Sequence, residues 1–88
     1  MVERTVQIVN SNGLHARPAA GIVKAAARYT STVTLSRDDL EVNGKSIMGV
    51  MMLAAEFGSV LTVRAEGPDA QDAVEALASL IANKFGER

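Results

Sequence analysis

The 88-residue chain has no cysteine and no tryptophan. Disulfide staples and thiolate metal sites are thereby excluded, and a reducing compartment is compatible with the composition. A single histidine without cysteine is too small a donor set for a transition-metal site built from this chain alone, so no metal and no cofactor is expected. Aromatic residues make up only 3%, which removes the stacking platforms that RNA and single-stranded DNA readers need. No nucleic-acid partner is expected. No apolar run is long enough to span a bilayer, and the charged pair Glu3 and Arg4 does not fit a signal peptide. A cytoplasmic domain without membrane insertion is the expectation. Acid is missing locally as well: from Thr5 to Arg37 the only charged residues are Arg17, Lys24, Arg28 and Arg37.

Apolar residues make up 48%, enough for one packed core of Val, Leu, Ile, Ala and Met, and the length allows no second. Residues 1–88 are therefore expected to form a single domain. The net charge of −1 says little, but the acids gather from Asp38 onward. That asymmetry suits a basic working face for an acidic partner or a phosphate, with steering that weakens in salt.

Hydropathy patterning predicts the order β-α-β-β-α-β-α. Val2, Val6 and Ile8 alternate with polar residues in a strand over 2–9, with Arg4 interrupting its apolar face. After the turn cluster Asn10-Ser11-Asn12-Gly13, a helix runs from about Ala16 to near Tyr29, with Pro18 in its first turn and Ala19, Ile22, Val23 and Ala26 as its stripe. Thr32–Leu35 and Leu40–Val42 read as strands joined by a turn at Arg37-Asp38-Asp39. Asn43-Gly44 turns the chain into an apolar helix that starts at Ile47, carries the run to Leu53 and is ended by Gly58, and Val60–Ala65 forms the fourth strand. Gly67-Pro68-Asp69 then breaks the chain and caps a last helix bearing Ala70, Ala73, Val74, Leu77, Leu80 and Ile81. Four short strands with one apolar face and helices to cover it predict a two-layer α+β sandwich.

His15 stands between a glycine-bearing loop and a helix start. A helix N-terminus offers unpaired N–H groups and partial positive charge, which together bind anions. Arg17 adds a fork of donors suited to phosphate oxygens. An imidazole titrates near pH 6.5 and so presents a lone pair as a nucleophile around neutrality. These parts suit phosphoryl transfer, where positioning and charge stabilisation carry most of the catalysis. No serine–histidine–carboxylate set can be assigned by spacing. On the residues alone, a histidine that merely caps the helix or bonds a loop stays an equal alternative.

The run Asn12-Gly13-Leu14-His15-Ala16-Arg17-Pro18-Ala19 resembles the active-site signature of HPr, the histidine-containing phosphocarriers of the bacterial phosphoenolpyruvate-dependent phosphotransferase system. A second motif, Gly44-Lys45-Ser46-Ile47-Met48-Gly49-Val50-Met51, extends the resemblance over the chain. It implies an open-faced β-sandwich, a four-stranded antiparallel sheet covered on one face by three helices. It implies that His15 takes a phosphoryl group on Nδ1 from phosphorylated enzyme I and hands it to an enzyme IIA domain in sugar uptake. Arg17 and the N–H groups of Ala16 and Arg17 would then contact the phosphate. Such a protein is a transfer component rather than a stand-alone catalyst, and a monomer is expected.

Gly44-Lys45-Ser46 is not the end of a nucleotide-binding P-loop, because that motif needs a glycine where Asp39 stands. On physical grounds Ser46 is an N-cap for the helix at Ile47. The resemblance adds regulatory phosphorylation of Ser46 by an HPr kinase/phosphorylase, as in some bacteria. Ile47, Met48 and Met51 are expected to form an exposed apolar patch beside His15, ringed by Arg17, Lys24 and Lys45, with Ala20 contributing as a contact position of the family. An apolar centre with a basic rim fits a transient interface. Phe57 stands where a polar residue is expected. Two other readings stay open: a regulatory relative acting through Ser46 alone, which His15 disfavours, and a small ligand-binding domain whose histidine is structural.

Overall fold

Alternation along the strands sends one set of side chains to the core and the other to water. In the computed structural model, which describes residues 1–86, the elements are β1 (Val2–Gln7), α1 (Ala16–Ala26), β2 (Thr32–Arg37), β3 (Leu40–Asn43), α2 (Ile47–Met52), β4 (Val60–Glu66) and α3 (Ala70–Ala82). A 3-10 turn at Lys84–Gly86 follows. The sheet has the order β1-β4-β2-β3 and every neighbouring pair is antiparallel. Its helix-covered face carries Val33, Leu35, Val42, Leu61, Val63 and Ala65, all buried. The opposite face is polar and open, with Thr5 paired to Thr62, Thr34 to Arg64 and Ser36 to Glu41. Across it Arg64 meets Glu3 at 2.7 Å, an exposed pair of small energetic weight.

The last helix follows its sequence stripe. Ala73, Val74, Leu77 and Ile81 are buried over β1 and β4, and burial of a side chain such as Leu77 contributes about 1.5–3 kcal/mol. α1 turns Pro18, Ala19, Ile22 and Ala26 inward and packs on α2 and α3. The two-layer sandwich expected from patterning, with three helices on one side, is the observed architecture.

The structure differs from the sequence expectation in several details, among them the end of α2 at Met52, short of Gly58. β1 ends at Gln7, because Ile8 pairs with the 58–59 turn: Gly58 N–H donates to the Ile8 carbonyl and Ile8 N–H to that of Ser59, both at 2.8 Å. α1 ends at Ala26, not near Tyr29, and Arg28 and Tyr29 instead bond three residues back to the carbonyls of Ala25 and Ala26. Asp69 does stand at the N-cap of α3, but its side chain makes no capping bond. Its carboxylate instead accepts the N–H groups of Thr30 and Ser31, each at 2.9 Å, and the Ser31 hydroxyl. Those donors, led by the Ser31 hydroxyl, lower the Asp69 pKa from 3.8 to about 2.

Candidate functional site

The loop before α1 is stitched from both sides. Asn10 is buried and donates from Nδ2 to the Gly13 carbonyl at 2.7 Å, while Gly13 N–H returns to the Asn10 carbonyl at 3.1 Å. Leu14 is buried too, and its N–H reaches across to the Ala55 carbonyl at 2.8 Å. Gly13 sits at φ +68°, and a Cβ there would stand 2.7 Å from that same carbonyl oxygen. Only glycine allows the two loops to approach this closely. The chain is therefore rigid up to the residue before His15.

His15 is the N-cap of α1, with extended backbone (φ −88°, ψ −172°), and its carbonyl accepts the first helical bond from Ala19 N–H at 3.0 Å. The side chain is exposed and makes no capping bond to the helix. The capping role that competed with a chemical one is therefore not what the ring does. Pro18, the third helical residue, has no N–H, so the first turn offers only the N–H groups of Ala16 and Arg17 before the helical ladder begins. No acid stands in that turn to neutralise its positive end. Ala16 and Arg17 are both exposed. An anion held at the His15 ring would thus meet two backbone donors and a guanidinium.

α1 and α2 run in opposite directions. Lys45, just before α2, donates from Nζ to the carbonyl of Tyr29 beyond the end of α1 at 2.7 Å. Ala55, just after α2, receives Leu14 N–H beside the start of α1. Met51 and Met52 therefore lie toward the His15 end, and Ser46 lies toward the other end of α1. The Ser46 hydroxyl caps α2, accepting Gly49 N–H at 3.1 Å.

On α1, Ala16, Ala20 and Lys24 are exposed and share one face at i+4 spacing. On α2 only Val50 is buried, with Leu53 just beyond it, so the other faces are left outside. Ile47, Met48 and Met51 are exposed, Met48 at 76%. The structure adds Met52, 64% exposed, which sequence reasoning did not assign to the patch; the i, i+3 pair Val50 and Leu53 was the available signal for the buried side. Two of the cations have structural partners. Lys45 is half-buried in its bond to Tyr29, and Arg37 donates to the carbonyls of Leu53 and Ala54, closing the end of α2. Arg17 and Lys24 remain exposed beside the helices.

Surface concavities include one on β2 and β3 lined by Thr30, Thr34, Asn43 and Lys45, and another between β1 and α3. Neither is lined by His15 or Arg17. Among the described residues no group of three or more His, Cys, Asp or Glu could hold a metal ion, and no helix is long and apolar enough to cross a membrane.

Comparison with known proteins fits this geometry. Residues 2–83 match the family model described as the PTS HPr component phosphorylation site. The chain is similar to phosphocarrier protein HPr of Cupriavidus necator, with 51% identity over 87 residues, covering 99% of this chain and 98% of that protein. Its fold is similar to the crystal structure of HPr-C-His from Thermoanaerobacter tengcongensis, with a TM-score of 0.96, 46% identity, and coverage of 100% of this chain and 99% of that one. A crystal structure of an HPr dimer from the same organism also matches, with a TM-score of 0.80, 47% identity, and coverage of 99% of this chain and 100% of that one. Two motifs, a shared fold and full-length identity near one half leave one assignment: the chain belongs to the HPr family of phosphocarriers of the phosphotransferase system.

Proposed function

We propose that the chain works in the cytoplasm as a monomeric carrier, taking a phosphoryl group on His15 from phosphorylated enzyme I and passing it to an enzyme IIA domain in sugar uptake. The observation that carries this reading is the start of α1: an exposed imidazole at the N-cap, Arg17 in the first turn, two open N–H donors and no acid. The Nδ1 lone pair forms an N–P bond as the bond from phosphorus to the donor breaks, and that electron pair leaves with the donor. In the second transfer an acceptor nucleophile attacks phosphorus, the N–P bond breaks, and the pair returns to the ring. Arg17 and the N–H groups of Ala16 and Arg17 balance the phosphoryl charge in both directions. A surface site with few donors holds the group loosely enough to release it, as a carrier requires. Incubation with phosphoenolpyruvate and enzyme I is expected to leave an acid-labile, base-stable label on the chain, absent from His15→Ala. Label that persists in that variant would sink the assignment.

The exposed α1 stripe of Ala16, Ala20 and Lys24 and the α2 residues Ile47, Met48 and Met51 supply the docking face, with Arg17 as part of its basic rim. Ser46 is its regulatory point, phosphorylated by an HPr kinase/phosphorylase. A phosphate there stands at the end of α2 away from His15, where salt screens its charge from the imidazole. It acts on the docking partner and not on the imidazole. Ser46→Asp should therefore raise the apparent KM for enzyme I severalfold while leaving kcat within twofold. An unchanged KM would remove the support for regulation at this position.

A further inference from the structure

We infer that Phe57 is an apolar anchor for the phosphoryl-exchange partner, one that extends the docking face past α2 onto the turn at 56–59; this rests on the carrier function proposed above. The turn is pinned on every side. Ser59 N–H donates to the Glu56 carbonyl and Glu56 N–H to the Ser59 hydroxyl, both at 2.9 Å, while Gly58 N–H bonds the Ile8 carbonyl at 2.8 Å. Gly58 has φ +89°, as the third position of a type II turn requires. The second position, Phe57, carries no such demand, so the turn's geometry does not explain an aromatic there.

Nor does packing explain it. The chain has three aromatic residues. Tyr29 and Phe85 pack against the core, whereas Phe57 is 65% exposed. It is presented on a rigid platform, which lowers the ordering cost of using it in an interface.

Its position fits the partner that reaches His15. A Cβ on Gly13 would stand 3.0 Å from the Glu56 Cα, so the two loops touch through their backbones. Chain reach from that contact bounds the Cα separation of His15 and Phe57 at about 16 Å. A standard interface covers about 800 Å² per partner, a disc of roughly 16 Å radius. Met51 and Met52, both exposed, lie on the chain just before the turn. With Arg17 and Lys24 as the exposed cations of the face, the matching surface is a protein face with an apolar socket inside a mainly acidic rim. Glu56 marks the one acidic side of the turn.

Steady-state phosphorylation by enzyme I, and transfer onward to an enzyme IIA domain, tests this with Phe57→Gln and Phe57→Leu. Phe57→Gln should raise the apparent KM for at least one partner about tenfold, the scale set by burying an exposed Phe. Its kcat should stay within twofold and its thermal midpoint within 2 °C (on the order of experimental error for a surface change), and Phe57→Leu should recover most of the loss. A KM within twofold of wild type for both partners would overturn the anchor, as would a fall in kcat alone. Self-association of the wild type that Phe57→Gln abolishes, with exchange unaffected, would assign the surface to a second copy and also overturn it. Failure of the wild type to take label would remove the carrier reading and this inference together; a labelled wild type with an indifferent Phe57→Gln removes only the inference.

Discussion

The starts of α1 and α3 are made from the same backbone donors and put to opposite use. At α3 the chain supplies its own anions: Asp69 at the N-cap and Asp72 in the first turn. The Asp69 carboxylate is further committed to Thr30 and Ser31, tying that start to the α1–β2 loop. At α1 the N-cap is His15, the first turn has no acid, and Pro18 has no N–H, so the donors of Ala16 and Arg17 concentrate beside the imidazole. A helix start can serve a transient anion only where the chain keeps its permanent ones away. The acid-free run from Thr5 to Arg37 is the sequence form of that rule.

The largest effect should come from making α1 resemble α3. Ala16→Asp places a carboxylate in the first turn, where it competes with an incoming phosphoryl group for the same donors. Labelling by enzyme I should slow about tenfold or more, the scale on which removing one stabilising contact acts. The same carboxylate interacts favourably with the helix dipole by about 0.3–1 kcal/mol, so the thermal midpoint should stay or rise slightly. A loss of both rate and midpoint would mean the variant disturbs the fold and the comparison fails.

A smaller effect should come from undoing the α3 arrangement. The Asp69 carboxyl titrates near 2 in the folded protein, below its ordinary 3.8. Its contribution to stability is therefore fully present above about pH 4 and is lost as pH falls through 2. Asp69→Asn should lower the thermal midpoint by several degrees at pH 5 and leave labelling of His15 within twofold. The gap to wild type should narrow as pH is taken from 4 to 2. A gap that is constant with pH would show that the carboxylate charge is not what holds the α1–β2 loop.

The features that were legible in the chain are those decided within a few residues. The α3 stripe, the polar and apolar alternation of β2 and β4, the Ser46 cap and the position of His15 at a helix start are all local. What escaped was set by contacts far along the chain. Asp69 looks like a simple cap until Thr30 and Ser31, nearly forty residues earlier, are folded beside it. Lys45 reads as a rim cation, yet the Tyr29 carbonyl holds its ammonium, and Arg37 is drawn to the end of α2. The exposed set on α2 was the harder case. In a helix of six residues nearly all apolar, the i, i+3 pair Val50 and Leu53 is a faint signal of the buried side, and packing against α1 and β3 is what separates Val50 from the exposed Met48.

The strand order has a consequence for how the protein is made. Among the described residues β1 is an edge strand paired with β4, which ends at Glu66. As the ribosome extends the chain from its N-terminus, the first strand emerges long before its partner exists. At about 5–20 residues per second, the intervening synthesis takes several seconds or more. Closure of the sheet must therefore wait until β4 has been synthesised. During that interval Arg4, which shares the core-side register of Val2 and Val6, places a charge on the bare strand and makes pairing with other nascent chains less favourable.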